Sequence, residues 1–295
     1  ALLQRFDPQE YHRRFLADGV RPDGRGLKER RPAALRSSAV SSANGSAWAR
    51  LGASLAVAGV HVEVTEAAAD GGPEAAVGRI VASVELPPLC AAAFRERQAA
   101  SGAATFLSSA LTDLLNSPHV FDVSQLQICE GELFWTVHVD VVCLNYDGNA
   151  FDLSLLAALA ALEDAELPAV GDAEAGAGLG GGPRRLVELP AGSEAAVSPA
   201  RPLTLRSRPL PVTFAQLPGD VWVLDPTSGE ESLGASVSLC LVGGRWHVYH
   251  QGGGATSERF TGDLMPTARS CVPALTKLLD GARSSNDADL GPFGY

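Results

Sequence analysis

Residues 132–144, ELFWTVHVDVVCL, decide the fold. Leu133, Trp135, Val137, Val139, Val141 and Cys143 recur with period two, the mark of a long strand with one buried face. Asp147-Gly148 then turns the chain. Residues 153–165, LSLLAALAALEDA, are apolar on nearly every side, which predicts a helix buried all round, with Asp152 as its cap. Upstream, residues 98–116 carry Phe106, Leu107, Ala110, Leu111, Leu114 and Leu115 on one helical stripe, stopped by Asn116-Ser117-Pro118.

Working outward, residues 33–64 read as a group of strands. Asn44-Gly45 is a hairpin signal, and a second turn near Gly52 separates 46–50 from 54–64. Residues 66–77 form a loop, and 80–86 a short strand ended by Pro87-Pro88. Residues 7–18 form a helix opened by Asp7, Pro8 and Glu10 and closed by Gly19. Past the long helix, residues 171–200 are rich in Gly, Ala and Pro and lack a core pattern, which predicts a flexible linker or insertion. Strands resume at 210–217 and 220–224. A hairpin over 235–242 and 245–250 turns at Gly243-Gly244, and a helical stretch spans 263–281.

The sequence thus predicts an α+β fold of two similar sheet-plus-helix halves. The boundaries are an arm at 1–20, a first half at 21–170, the linker at 171–200, a second half at 201–285 and a disordered tail at 286–295.

The 295 residues are 46% hydrophobic, enough for a sizeable core, and the net charge of −11 argues against an autonomous RNA binder. Charge is uneven: residues 1–50 carry +5 and the remainder −16. The basic start is either a solvated face or a surface that docks on something acidic, a partner or a phosphate backbone. Five scattered cysteines without CxxC spacing read as reduced core residues of a cytosolic or nuclear protein. No apolar run reaches 18 residues, so no membrane contact is expected, and the start turns polar too soon for a secretory signal.

Chemistry is sparse. There is no Walker loop, HExxH, GxSxG or dinucleotide fingerprint. His61 with Glu63, and His138 with Asp140, share strand faces, where a solvated face is the plainer reading than a metal pair. The cluster Asp225–Glu231, DPTSGEE, offers carboxylates for a divalent ion or nucleophile, or is simply a turn. Gly252–Gly254 could cradle a phosphate or merely join a strand to a helix. Trp48, Trp135, Trp222 and Trp246 lie in apolar strand patterns, as core residues do.

Five short motifs in order carry a resemblance. They are Arg21-Pro22-Asp23-Gly24-Arg25; Leu86-Pro87-Pro88-Leu89-Cys90; Asn145-Tyr146-Asp147-Gly148-Asn149 with Asp152; Asp225-Pro226-Thr227 with Glu230-Glu231; and Gly252-Gly253-Gly254. Over about nine-tenths of its length the chain resembles RNase PH-like proteins, in particular the noncatalytic ring subunits of the eukaryotic RNA exosome. The resemblance implies a duplicated fold like the second domain of ribosomal protein S5. It implies a six-member ring of RNase PH-like subunits threading single-stranded RNA, S1/KH cap subunits, an associated exonuclease, and no cofactor. It also implies a role in 3′-to-5′ RNA degradation and rRNA processing in nucleus, nucleolus and cytoplasm.

Active members of the family use acidic residues on the strand after the acidic segment, and arginines that hold phosphate. At the matching positions this chain has Ala235 and Val237, which cannot donate a proton. Of the arginines after the Pro-Pro segment only Arg95 and Arg97 remain, and both are candidate RNA contacts. No catalytic residue and no metal ligand is expected. The rival readings are an active phosphate-dependent exoribonuclease, which needs an acid near Ala235 or Val237, and an autonomous RNA-binding module, which needs exposed aromatics beside a basic groove.

Overall fold

Trp135, Val137, Val139, Val141 and Cys143 are at most 1% exposed, so the strand read first is the spine of the first half. The computed structural model describes residues 6–66, 78–95, 97–129, 132–172, 186–189, 198–251 and 260–284. Helix α1 (Pro8–Ala17) starts where Asp7 accepts the Glu10 N–H at 3.0 Å. Strands β1 (Ala33–Ser37), β2 (Gly45–Leu51), β3 (Ser54–Glu66), β4 (Arg79–Glu85), β5 (Gln127–Cys129) and β6 (Leu133–Asn145) form a six-stranded sheet, ordered β1-β2-β3-β6-β4 with β5 beside β6.

Helix α2 (Arg97–Leu115) carries the chain over between β4 and β6, which therefore run parallel; the other pairs are antiparallel. Its polar side also closes the edge of the sheet. Ser108, Thr112 and Asn116, one turn apart, accept the Val84, Ala82 and Ile80 N–H groups at 2.8, 3.0 and 2.9 Å. The open hydrogen-bonding row of an edge strand is thereby capped.

Helix α3 (Ala150–Asp164) is buried from Phe151 to Leu162. It packs against β2 and β3 on one side. On the other it meets β11 (Leu210–Leu217) of a second, four-stranded antiparallel sheet. That sheet is ordered β12-β11-β13-β14, with β12 at Val221–Leu224, β13 at Ser236–Val242 and β14 at Arg245–Gln251. The last helix, α5 (Met265–Ser284), lies against β1, β11 and α3; the short α4 (Ser228–Glu231) precedes β13. The layers are sheet, helices, sheet, and one apolar cluster runs through all of them.

Several expectations change. Asn44-Gly45 is not a two-residue hairpin turn: residues 38–44 connect β1 to β2, and Gly45 is the first residue of β2. A Cβ there would stand 2.4 Å from Ala165 Cα and 2.5 Å from the Ala161 carbonyl oxygen. Glycine is needed because α3 crosses β2 at backbone contact.

The cap of α3 is Asn149, in the left-handed region at φ 59°, and Asp152 lies inside the first turn. The expected linker holds ordered chain: β9 (Leu186–Leu189) pairs with β8 (Ala169–Asp172), and Ser198 bridges Val170. Arg201-Pro202 (β10) then pairs with Glu166-Leu167 (β7). The expected loop over 66–77 beyond Glu66, the triple glycine and the tail lie outside the described residues.

The largest change concerns the arm. Its Leu16 and the following Leu27 pack on Ala215, Leu217 and Val223, the outer face of the second sheet. The Leu224 N–H donates to the Leu27 carbonyl at 2.9 Å. Leu16 and Leu27 therefore tie this part of the chain to the second half.

Candidate functional site

The motif Arg21–Arg25 is a tight turn. The Arg21 N–H donates to the Arg25 carbonyl at 3.0 Å, Gly24 N–H to the Arg21 carbonyl at 2.9 Å, and Gly24 has φ 85°. Asp23 holds the Arg25 guanidinium at 2.6 Å. The turn aims Arg21, fully buried, into the second half. Its guanidinium donates to Glu230 Oε1 at 2.8 Å, forms a second contact with Glu230 Oε2, and reaches the Leu224 and Asp225 carbonyls at 2.7 and 3.0 Å. Asp23 is exposed and Pro22 half-buried, and both serve the turn.

Arg31 repeats the arrangement. Its Nε and Nη2 donate to the two Asp225 carboxylate oxygens at 3.0 and 2.8 Å, and its backbone N–H to the same group at 2.9 Å. Asn149 Nδ2 adds a bond to Asp225 at 2.7 Å. Burial alone would raise the Asp225 carboxyl, but the bonds and charge of Arg31, with Asn149, hold it below the ordinary carboxylate range. Arg30 pairs with buried Asp152 at 3.2 Å. Burial raises the Asp152 carboxyl, against the pull of Arg30.

The acidic partner anticipated for the basic N-terminus is thus, for Arg21 and Arg31, the chain's own second half, and for Arg30 the buried Asp152 of the first. The DPTSGEE segment is more than a bare turn. Its Asp225 and Glu230 are held by guanidinium groups, and among the described residues no group of three or more His, Cys, Asp and Glu could hold a metal ion. His138 meets Glu63 across strands at 3.6 Å. Trp135 is buried, while Trp48, Trp222 and Trp246 are half-buried.

Beside this network lies a cavity of about 420 Å³. One wall is α2, through Gly102, Ala103, Phe106 and Leu107; another is the start of α3, through Ala150 and Phe151. Its polar side comes from Thr213 on β11, Ser236 and Ser238 on β13, and Tyr146, Asn149 and Glu231. The Glu231 carboxyl accepts the Tyr146 hydroxyl at 2.5 Å and the Asn149 N–H at 2.7 Å. Burial pushes it up from the usual carboxylate value against those two bonds. Thr213 donates to Asp152 at 2.7 Å and lies 2.9 Å from the Ser238 hydroxyl.

The positions singled out in the sequence fall around this cavity. Ala235 and Val237 are 6% and 0% exposed and do not line it; Val237 belongs to the apolar core. Strand alternation presents Ser236 and Ser238 to the cavity instead. Arg95 is exposed at the end of a 3₁₀ turn, Ala92–Arg95. That turn is anchored by Phe94 on Tyr146, rings 5.0 Å apart, and by the Tyr146 N–H on the Cys90 carbonyl at 3.1 Å. Arg97 is the first residue of α2, and its side chain lies outside the described residues. Sequence reasoning missed Arg30, Arg31 and Tyr146 as parts of the site; the run Glu29-Arg30-Arg31 beside the signature was the available signal.

Two sheets enclosing buried helices, with an arginine turn locked to an acidic segment beside a cleft, define a protein of the RNase PH type. The model of the 3′ exoribonuclease family, domain 1, matches residues 29–168. The chain is 34% identical over 168 residues to exosome complex component rrp43 of Schizosaccharomyces pombe, a match covering 57% of this chain and 61% of that protein, less than two thirds of its length. It is 31% identical over 220 residues to exosome complex component Rrp42 of Thermococcus gammatolerans, covering 74% and 73%. A solved Archaeoglobus fulgidus exosome with RNA bound to the active site superposes with a TM-score of 0.71 at 26% identity, over 91% of this chain and 96% of that one. The chain belongs to the RNase PH family of 3′ exoribonucleases.

Proposed function

We propose that this chain is a noncatalytic structural subunit of the RNA exosome ring, supporting 3′-to-5′ RNA degradation and rRNA processing by the complex. Similarity to exosome components and to exosome core structures supports ring membership. Among ring subunits, its motifs most resemble exosome component eight. One observation carries the noncatalytic reading: the strand entering the cleft presents Ser236 and Ser238, with Ala235 and Val237 turned into the core. Phosphorolysis must protonate a leaving oxygen and bind a phosphate dianion. Glu231, the carboxyl in the cleft, is engaged by Tyr146 and Asn149.

The partners of this reading are the other RNase PH-like ring subunits, S1/KH cap subunits, the associated exonuclease and single-stranded RNA, in nucleus, nucleolus and cytoplasm. Two measurements test it. Purification of the native chain should bring down RNase PH-like subunits, identified by mass. The purified chain with single-stranded RNA and phosphate should release no nucleoside diphosphates. Product formation that survives repurification overturns the noncatalytic reading, and a chain that purifies alone overturns ring membership.

Arg95 and Arg97 are the proposed RNA contacts along the ring's path. Arg95 is exposed on an anchored turn, where it can meet a phosphate. In a reconstituted ring, replacing both with Ala should make RNA affinity fall less steeply with salt, by about one to two units of log–log slope, with assembly unchanged. An unchanged slope with weakened assembly assigns both to a subunit interface.

A further inference from the structure

We infer that His61 and His138, opposite each other on the outer face of the first sheet, form a chelating site for one divalent late transition metal ion of the Zn²⁺, Ni²⁺ and Cu²⁺ class. The inference goes beyond the proposed ring role and does not depend on it. Along the sequence, His61 with Glu63 and His138 with Asp140 are two separate pairs. The sheet joins them. Val60, Val62, Val137 and Val139 are at most 6% exposed, so strand alternation turns His61, Glu63, His138 and Asp140 to the outer face. In the β3–β6 register, His61 and His138 are direct partners. Opposed residues of an antiparallel pair hold their Cβ atoms about 4.5–5.5 Å apart. Two imidazoles rooted at that spacing can both reach one ion at a metal–nitrogen distance of about 2.0–2.1 Å.

The surroundings favour an ion over a bare polar face. Both strands are interior to the sheet: β3 lies between β2 and β6, and β6 between β3 and β4. The two backbone positions are therefore fixed before any ligand arrives, and chelation orders only the two rings. His61 is exposed and His138 half-buried, so solvent reaches both. Glu63 Oε2 stands 3.6 Å from His138 Nε2. That is too long for a hydrogen bond to a neutral ring, yet near enough to place a negative charge beside a bound dication. Asp140 faces Gly59, where even a Cβ would meet only Ala43 Cβ, at 3.9 Å. Its carboxylate thus has room on the diagonal toward His61. The carboxylates supply charge and the imidazoles supply selection: imidazole suits Zn, Cu and Ni, whereas Mg and Ca take oxygen ligands. With two protein ligands rather than three or more among the described residues, the ion keeps water at its other positions.

Calorimetry of the full, reduced chain tests this with Ni²⁺ as the probe and Mg²⁺ as the hard-cation control. Ni²⁺ should fill one equivalent that Mg²⁺ does not displace. His61→Ala and His138→Ala should each weaken that equivalent at least about tenfold, since losing even a group behind a metal ligand costs about 10–100-fold. The double variant should match the weaker single variant within about twofold, because one missing ring already breaks the chelate. His119→Ala removes an exposed histidine elsewhere and should change nothing. Ni²⁺ should also raise the thermal midpoint of the parent and of His119→Ala, but not of the two site variants, because an ion held only by the folded chain stabilises it. His138→Gln, closer in size and polarity, serves if His138→Ala fails to fold. Full Ni²⁺ affinity in either site variant, multiplying losses in the double variant, an equal loss in His119→Ala, or displacement by equimolar Mg²⁺ overturns the inference.

Discussion

Replacing Arg21 with methionine should destabilise the folded chain by about 3–5 kcal/mol, the range for removing one partner of a buried ion pair. Arg21 is fully buried and Glu230 is 1% exposed. Without the guanidinium, the Glu230 carboxylate loses its countercharge, and the Leu224 and Asp225 carbonyls lose donors at 2.7 and 3.0 Å. Water does not reach them to compensate. Single domains have only about 5–15 kcal/mol in total, so this variant should fold marginally or only with partners. The double variant Arg21→Met with Glu230→Leu should recover much of the loss, because an apolar pair can replace a buried ion pair at little net cost. Recovery will be incomplete: Glu230 also accepts the Thr227 N–H at 2.8 Å and caps α4. Urea midpoints of the three proteins decide. A loss below about 1 kcal/mol for Arg21→Met would place this pair with surface salt bridges.

Gly45→Ala should cost about 3 kcal/mol, large for a single added methyl group and in the upper range for overpacking. The new carbon would meet the Ala161 carbonyl oxygen in the last turn of α3 and the Cα of Ala165 just past it, both backbone atoms. Relief requires moving the helix or the strand. Gly102→Ala is the matched control: its Cβ meets nothing within 4 Å, and alanine in a helix interior should raise stability by about 0.5–1 kcal/mol. Thermal unfolding of the pair separates close packing from a general intolerance of glycine replacement. Similar small shifts in both would mean that α3 and β2 are not in backbone contact.

What could be read from the sequence follows from periodicity. The strand 133–145 shows its buried face by period two and the helix after it by an almost unbroken apolar run; the strand forms within a residue of expectation, and the helix starts three residues earlier than expected. Local signals failed where a distant element decided. Asn44-Gly45 has the composition of a turn, but its glycine answers to a helix more than a hundred residues later. Asp152 has the composition of a cap, but Asn149 takes that position and Asp152 meets Arg30 and Thr213.

The site was half legible. The motifs were visible as motifs. Their meaning as two arginine–carboxylate locks was not, because pairing across some 200 residues leaves no mark on local spacing. Positions 235 and 237 were legible as non-acidic, yet which residues of that strand face the cleft depends on the alternation of β13.

The arm also sets an order of events during synthesis. Arg21 leaves the ribosome 209 residues before Glu230, its carboxylate partner, an interval of about 10–40 s at about 5–20 residues per second. The first sheet and its helices can gather in that time, but the arm has nowhere to dock. Its arginines and Leu16 stay exposed until β11, β12 and the acidic segment arrive. Residues 16–27 are then fixed later than much of the chain that follows them, so a ribosome paused before residue 225 carries this segment still available for capture.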